Sequence, residues 1–232
     1  MSDRSLPTNS VLSSGIRTFK PRRSRITPSQ RNGLIYGGEN LLTFTNRSLR
    51  STYIWPELKS PLFIDIGFGN GVSSIALAEA NPEYSFLAID VHTPGVGNLL
   101  GEIHTRGLKN IRVMETDSIA VLEHMLAPNS ITGIYTLFPD PWPKSRHHKR
   151  RIVQPAIMNL FNSRLVPQGF WHIATDWQEY ADCITGLFEQ PNHVPRWSGG
   201  IVNRPDRPIT HYERRAIQDG RTVTDFRFVK CD

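Results

Sequence analysis

Leu62-Phe-Ile-Asp-Ile-Gly-Phe-Gly-Asn-Gly71 is an apolar strand pattern that runs into three alternating glycines. Residues 72–80 then read as a helix that stops at Asn81-Pro82, because proline cannot continue the helical hydrogen bonding. Strand, glycine loop and helix together form the first unit of a nucleotide-binding α/β fold. Glycine is required where a backbone turns sharply and passes close to a ligand. Taken alone, the loop suits NAD, FAD or S-adenosylmethionine, or a tight turn with no ligand.

Its surroundings narrow the choice. A second strand over 84–89 ends at Asp90, and a third over 111–114 leads to Asp117. With Asp65, that places acids at the ends of three successive strands. A pyrophosphate prefers G-x-G-x-x-G and a helix N-terminus, and nearby carboxylates repel it. A sulfonium cofactor carries no phosphate and gains from such acids. The set Asp65, Gly67, Gly69, Asp90 and Asp117 therefore favours S-adenosylmethionine. Asp90 suits the ribose hydroxyls, and Asp117 sits where enzymes that use this cofactor commonly place an acceptor for the adenine amino group. Each acid also has a plain structural reading: Asp65 as a turn acceptor, Asp117 as the N-cap of a helix over 119–126. Between them, Thr93 reads as N-cap and Pro94 as first residue of a helix ending at Arg106-Gly107.

Further strands are expected over 131–138, 170–175 and 222–230, the last one antiparallel, with another near 193–198. Helices are expected over 177–188 and 212–218. Upstream, Thr27-Pro-Ser-Gln30 forms a capping box for a helix ending at Gly37-Gly38. The fold class is α/β, Rossmann-like: a mostly parallel seven-stranded sheet with helices on both faces and an antiparallel last strand. Residues 1–54 form a basic N-terminal arm and lead helix, the first residues disordered, and 55–232 form the main domain.

The 232 residues include 27 Lys and Arg against 21 Asp and Glu, a net charge of +6 that favours a polyanionic partner. The basic residues crowd into 17–31 and 144–151. Two cysteines without ligand spacing argue against a metal site and fit a reducing cytosol. No stretch is long and apolar enough to span a membrane, and a cytoplasmic location is expected.

The most distinctive stretch is Phe138-Pro-Asp-Pro-Trp-Pro-Lys-Ser-Arg-His-His-Lys-Arg-Arg151. Three prolines predict an extended, stiff loop that presents a carboxylate, an aromatic ring and a cationic cluster at a strand's carboxyl end. With Ile152-Val-Gln-Pro155 it closely resembles the signature of the bacterial tRNA (guanine-N7-)-methyltransferases, which are class I S-adenosylmethionine-dependent enzymes. The segments DIGFGNG, AIDVH and ETDS match family motifs in order, with Asp65 and Asp90 standing where Glu is common.

The resemblance implies methyl transfer to N7 of a variable-loop guanine, position 46, in tRNA; the expected assembly is a monomer or homodimer. It implies a substrate role for Asp176 and for Thr210 and Glu213 of a Thr-x-x-Glu motif, although His211 and Tyr212 depart from the usual Lys-Phe. Asp140 is expected to be catalytic, reading the guanine donors and countering charge on the purine. Lys144 is expected to anchor a phosphate or the guanine O6, while Trp142 either stacks or packs. Two rivals stand beside this reading: a methyltransferase for exocyclic amino groups of nucleic acids, and a non-catalytic RNA-binding protein on the same fold.

Overall fold

A computed structural model describes residues 18–19, 25–45, 47–49, 55, 61–190, 197–205 and 207–231. Most of the basic arm, and the beginning of the strand expected near 193–198, lie outside them. Eight strands form one sheet: β1 (Leu41–Leu42), β2 (Leu62–Ile66), β3 (Ser85–Asp90), β4 (Ile111–Glu115), β5 (Ile131–Leu137), β6 (Leu165–Thr175), β7 (Trp197–Val202) and β8 (Thr224–Lys230). Their order is β1-β4-β3-β2-β5-β6-β8-β7. Neighbours pair in parallel except at β8, which is antiparallel to both β6 and β7.

The antiparallel last strand is as expected. The sheet has one strand more than the expected seven, because two residues after the lead helix add to the β4 edge. β6 also starts earlier than expected, with a register shift that absorbs the Val166-Pro-Gln-Gly169 turn into the ladder with β5.

Strand alternation sends successive side chains to opposite faces and builds two cores. Phe63, Phe86, Ala88 and Val113 meet α2 (Val72–Ala80) and α3 (Thr93–Arg106). Ile64, Leu87, Ile89 and Met114 share the other core with α4 (Ser118–His124), α5 (Pro155–Arg164) and α6 (Gln178–Phe188). α7 (His211–Gln218) precedes β8.

α1 (Pro28–Tyr36) has the expected capping box: Thr27 Oγ1 accepts from Gln30 N, and Gln30 Oε1 accepts from Thr27 N. It packs on α3 so closely that a Cβ at Gly33 would lie 1.9 Å from Gly97 O. His92 rather than Thr93 is the N-cap of α3, because the Thr93 hydroxyl donates to Glu115 instead of capping the helix.

β2 is central, with β3 on one side and β5 on the other. The chain reverses direction across the sheet there, and ligands of open α/β sheets bind beyond the carboxyl ends of such strands.

Candidate active site

A cavity of about 380 Å³ opens at that switch point, within the usual size range for small-ligand sites. β2 supplies Asp65 and the loop from Gly67 to Asn70; β3 supplies Asp90; β5 supplies the segment from Thr136 to Asp140; and the start of α7 supplies Thr210, His211 and Tyr212. Thr18 and Phe19 of the basic arm also line it. Of the expected site residues, Asp65, Gly67, Gly69, Asp90, Asp140 and Thr210 therefore share one cavity. Asp117, Lys144, Asp176 and Glu213 do not line it.

The glycine loop is built to its job. Gly67, Gly69 and Gly71 have φ of 71°, 60° and 80°. This left-handed region penalises residues with a Cβ. Asp90 ties the loop down: its Oδ2 accepts from Gly69 N at 3.0 Å, and its Oδ1 from Val91 N and His92 N at 2.7 and 3.0 Å. Burial nevertheless raises the Asp90 pKa, against these three hydrogen bonds. Asp65 is buried on the α2 side and accepts from the Ser74 hydroxyl at 2.5 Å. Burial pushes its carboxyl up to about 6, opposed by Ser74 and assisted by the Asp90 charge. A buried acid beside a second acid, at a cavity wall, has the chemistry that suits a cation.

Asp117 is the N-cap of α4, its Oδ1 accepting from Ile119 N at 2.9 Å, while its neighbours Thr116 and Ser118 reach the cavity. Ser73 and Thr116 were missed from sequence. Both are more than nine-tenths buried, line the cavity, and have hydroxyls without hydrogen-bond partners among the described residues. Their only signal was a pair of serines in an otherwise apolar helix after the glycine loop, and a threonine beside Asp117.

The signature loop is not simply extended. Phe138 N donates to Ala174 O at 2.8 Å, completing the β5–β6 ladder, and then Phe138 and Trp142 adopt φ of 55° and 46°. Two left-handed bends before prolines fold the loop over the strand ends. Such conformations cost about 1–3 kcal/mol each and persist where surrounding contacts impose them. Arg151 is one such contact. Its side chain is 2% exposed, with Nε donating to Pro141 O at 2.9 Å and the guanidinium paired with Glu179 and stacked over Tyr180. It belongs to the loop's frame rather than to the cationic surface. Residues Ser145–Arg150 form a 3₁₀ helix that exposes Arg146 and Lys149, with Lys144 exposed just before it. Trp142 is half-buried, with Arg150 5.1 Å above its ring and His147 edge-on at 5.8 Å.

At the far end of the site, Thr210 caps α7, its Oγ1 accepting from Glu213 N at 3.1 Å. The reciprocal half of a capping box is replaced: both oxygens of the buried Glu213 carboxylate are bonded by Arg204 and Arg207. Asp176, just after β6, pairs with Arg221 at 3.2 Å.

The family described as "Putative methyltransferase" matches residues 59–226. The tRNA (guanine-N(7)-)-methyltransferase of Chromohalobacter salexigens is 40% identical over 94% of this chain and 91% of its own length. That of Streptomyces coelicolor is 41% identical over 96% of this chain and 83% of its own. The chain belongs to the tRNA (guanine-N7-)-methyltransferase family. A solved structure described as an rRNA methylase from Streptococcus thermophilus covers 90% of this chain and 100% of its own at TM-score 0.51 and 13% identity, a likeness of fold.

The residues of this family member fit the cofactor that its fold implies. S-adenosylmethionine brings a permanent cation, an amino group and a ribose. The cavity offers Asp65 and Asp90 for the charges and hydroxyls, and the unpartnered hydroxyls of Ser73 and Thr116 for further polar groups. Among the described residues, no group of three His, Cys, Asp or Glu could hold a metal ion, and no helix is long and apolar enough to cross a membrane.

Proposed function

We propose that this protein transfers a methyl group from S-adenosylmethionine to N7 of a guanine in tRNA, at variable-loop position 46, in the cytoplasm. The observation that carries the reading is Asp140 on the wall of the same cavity as Asp65, Asp90 and the glycine loop. The acid of the RNA-facing loop and the acids suited to a cationic cofactor thus converge on one space. The identity to named relatives over most of the chain supports the choice of substrate.

Bound in this cavity, S-adenosylmethionine supplies an electrophilic methyl group. Guanine N7 has an in-plane lone pair and no proton, so its attack requires no general base. Asp65, Asp90, Gly67 and Gly69 hold the cofactor end, and Asp117 orders α4 beside Thr116. Asp140 accepts from the guanine N1 and N2 donors and balances the positive charge that the purine gains. Catalysis then rests on position and electrostatics. A site that demands those donors rejects bases lacking them. Thr210 frames the guanine end from the cavity wall, and Asp176, paired with Arg221 outside the cavity lining, supports that end from just after β6. Lys144 and the exposed 3₁₀ cations hold phosphates together with the basic arm of residues 1–54, ahead of a methyltransferase domain over 55–232.

The test is transfer of labelled methyl to unmodified tRNA, with a 7-deazaguanine tRNA as control. Label is expected on the first RNA and absent from the second, and Asp140→Ala is expected to lose about 10²-fold or more in rate. Equal labelling of the two RNAs would move the chemistry to another atom.

A further inference from the structure

Behind the cavity lies a buried ion-pair hub. At its centre is Arg207, with a side chain 5% exposed. Its Nη1 donates to Glu213 Oε2 at 2.5 Å, and its Nη2 to both Asp225 oxygens at 3.0 and 3.2 Å. Asp225 Oδ1 also lies 2.8 Å from His172 Nε2. Arg204 closes the other side, with Nε donating to Glu213 Oε1 at 2.5 Å and Nη2 to the Arg207 carbonyl at 2.6 Å. The Arg207 guanidinium also lies 5.7 Å from the Phe138 ring centre. One side chain therefore touches α7 through Glu213, β8 through Asp225 and the first residue of the signature loop.

The two halves of the guanine end leave from this hub. α7 begins at Thr210 and puts Thr210, His211 and Tyr212 into the cavity. Phe138 opens the loop that carries Asp140 into the same cavity. A planar guanidinium with five donors can hold two carboxylates in fixed directions, which an ammonium cannot. Glu213 is 1% exposed, with both oxygens committed.

Resting on the function proposed above, we infer that Arg207 is a positioning residue for methyl transfer: it sets the separation between Asp140 and the α7 N-terminus, and Glu213 acts as its tether rather than as a contact to the guanine.

The test uses Arg207→Met, Arg207→Lys, Glu213→Gln and the double Arg207→Met/Glu213→Gln, with Leu122→Ala as a control that destabilises the core at α4. Single-turnover transfer, tRNA KM and cofactor Kd are measured well below the lowest melting temperature, with hydrogen exchange over 138–144 and 210–213. Arg207→Met is expected to lose about 10²-fold in single-turnover rate, the scale of a misplacement near 1 Å, with KM and Kd within about threefold. Arg207→Lys is expected to recover part of the rate, and the double variant to be no slower than the slower single, as for residues acting as one unit. Exchange is expected to rise in both segments with Arg207→Met and in neither with Leu122→Ala. Multiplicative losses in the double would overturn the inference, because Glu213 would then act on substrate independently. So would an Arg207→Met rate or exchange pattern no different from Leu122→Ala. Should Arg207→Met fail to fold, wild-type rate and exchange in Arg207→Lys would overturn it. The exchange readout is independent of methyl transfer, so inactivity of the wild-type protein on tRNA would refute the proposed function and leave this inference to be judged by exchange.

Discussion

Replacing Asp65 with Asn separates what this acid does for the empty protein from what it does for the cofactor. Burial, helped by the Asp90 charge, lifts its pKa from 3.8 to about 6. A raised carboxyl pKa means that the folded, empty protein holds a proton the unfolded chain has released. The empty protein therefore loses stability as pH rises from about 4 through about 6. At roughly 1.36 kcal/mol per tenfold change in proton affinity, the ionised carboxylate costs up to about 3 kcal/mol at pH 7. Asn keeps an acceptor for the Ser74 hydroxyl and removes that charge. The empty variant is expected to melt several degrees higher at pH 7, given about 2–4 °C per kcal/mol for a chain of this size.

Cofactor binding should respond with the opposite sign. A cation needs the ionised form, whose fraction drops from roughly nine-tenths at pH 7 to roughly one-tenth at pH 5 for a pKa of about 6. Wild-type Kd for S-adenosylmethionine is then expected to weaken about tenfold across that interval. The sulfonium charge does not titrate, and an α-amino group titrates near 7.7–8.0, roughly above this window. Asp65→Asn is expected to bind on the order of 10²-fold more weakly at pH 7, with most of the slope between pH 5 and 7 gone. Comparing the two proteins isolates the part of the slope that Asp65 carries. Calorimetric titration at pH 5, 6 and 7, with melting curves of the empty proteins, makes the measurement. A wild-type Kd flat to within about threefold, or a full slope in the variant, would refute the argument.

Three further outcomes follow from the packing and the surface. A Cβ at Gly95 would stand 2.2 Å from Gly69 O, so Gly95→Ala must displace the glycine loop; cofactor affinity is expected to fall by about tenfold or more in titration, beyond the 1–3 kcal/mol typical of overpacking in stability. Gly33→Ala would put its Cβ 1.9 Å from Gly97 O across the α1–α3 contact; thermal melting is expected to drop by several degrees or more, while Ala at Gly38, where no atom lies within 4 Å, should have little effect. Lys149 is exposed on the 3₁₀ helix, and Lys149→Ala is expected to reduce the slope of log K against log salt for tRNA by about 0.7–0.9 while leaving cofactor Kd unchanged; an unchanged slope would remove Lys149 from the RNA path.

The parts legible in the sequence were those with local causes. The glycine loop, the helices after it, the capping box at Thr27, the N-cap at Thr210, and the acids ending β2 and β3 all follow from residues a few positions apart. Proline, glycine and capping side chains act on their own neighbourhood, and strand alternation is a period of two. The order in which Asp65, Asp90 and Asp140 meet was accessible as well, because parallel α/β sheets bring successive strand ends to one edge.

What lay beyond sequence reading depended on partners distant in the chain. Arg151 sits in a run of cations yet is buried against Glu179, 28 residues on, so its charge serves the loop and not a phosphate. The bends at Phe138 and Trp142 oppose the local preference of residues before proline, and contacts from β6 and from Arg151 hold them. Glu213 stands three residues after Thr210, where its side chain could close a capping box, but Arg207, held in turn by Asp225 from β8, takes its carboxylate. A buried carboxylate goes to the strongest donor that folding brings near, and which donor that is depends on how the strands and helices pack. Local chemistry thus settled the framework and the acids at the strand ends, while the long-range pairing of buried charges settled which polar residues line the cavity and which hold it in place.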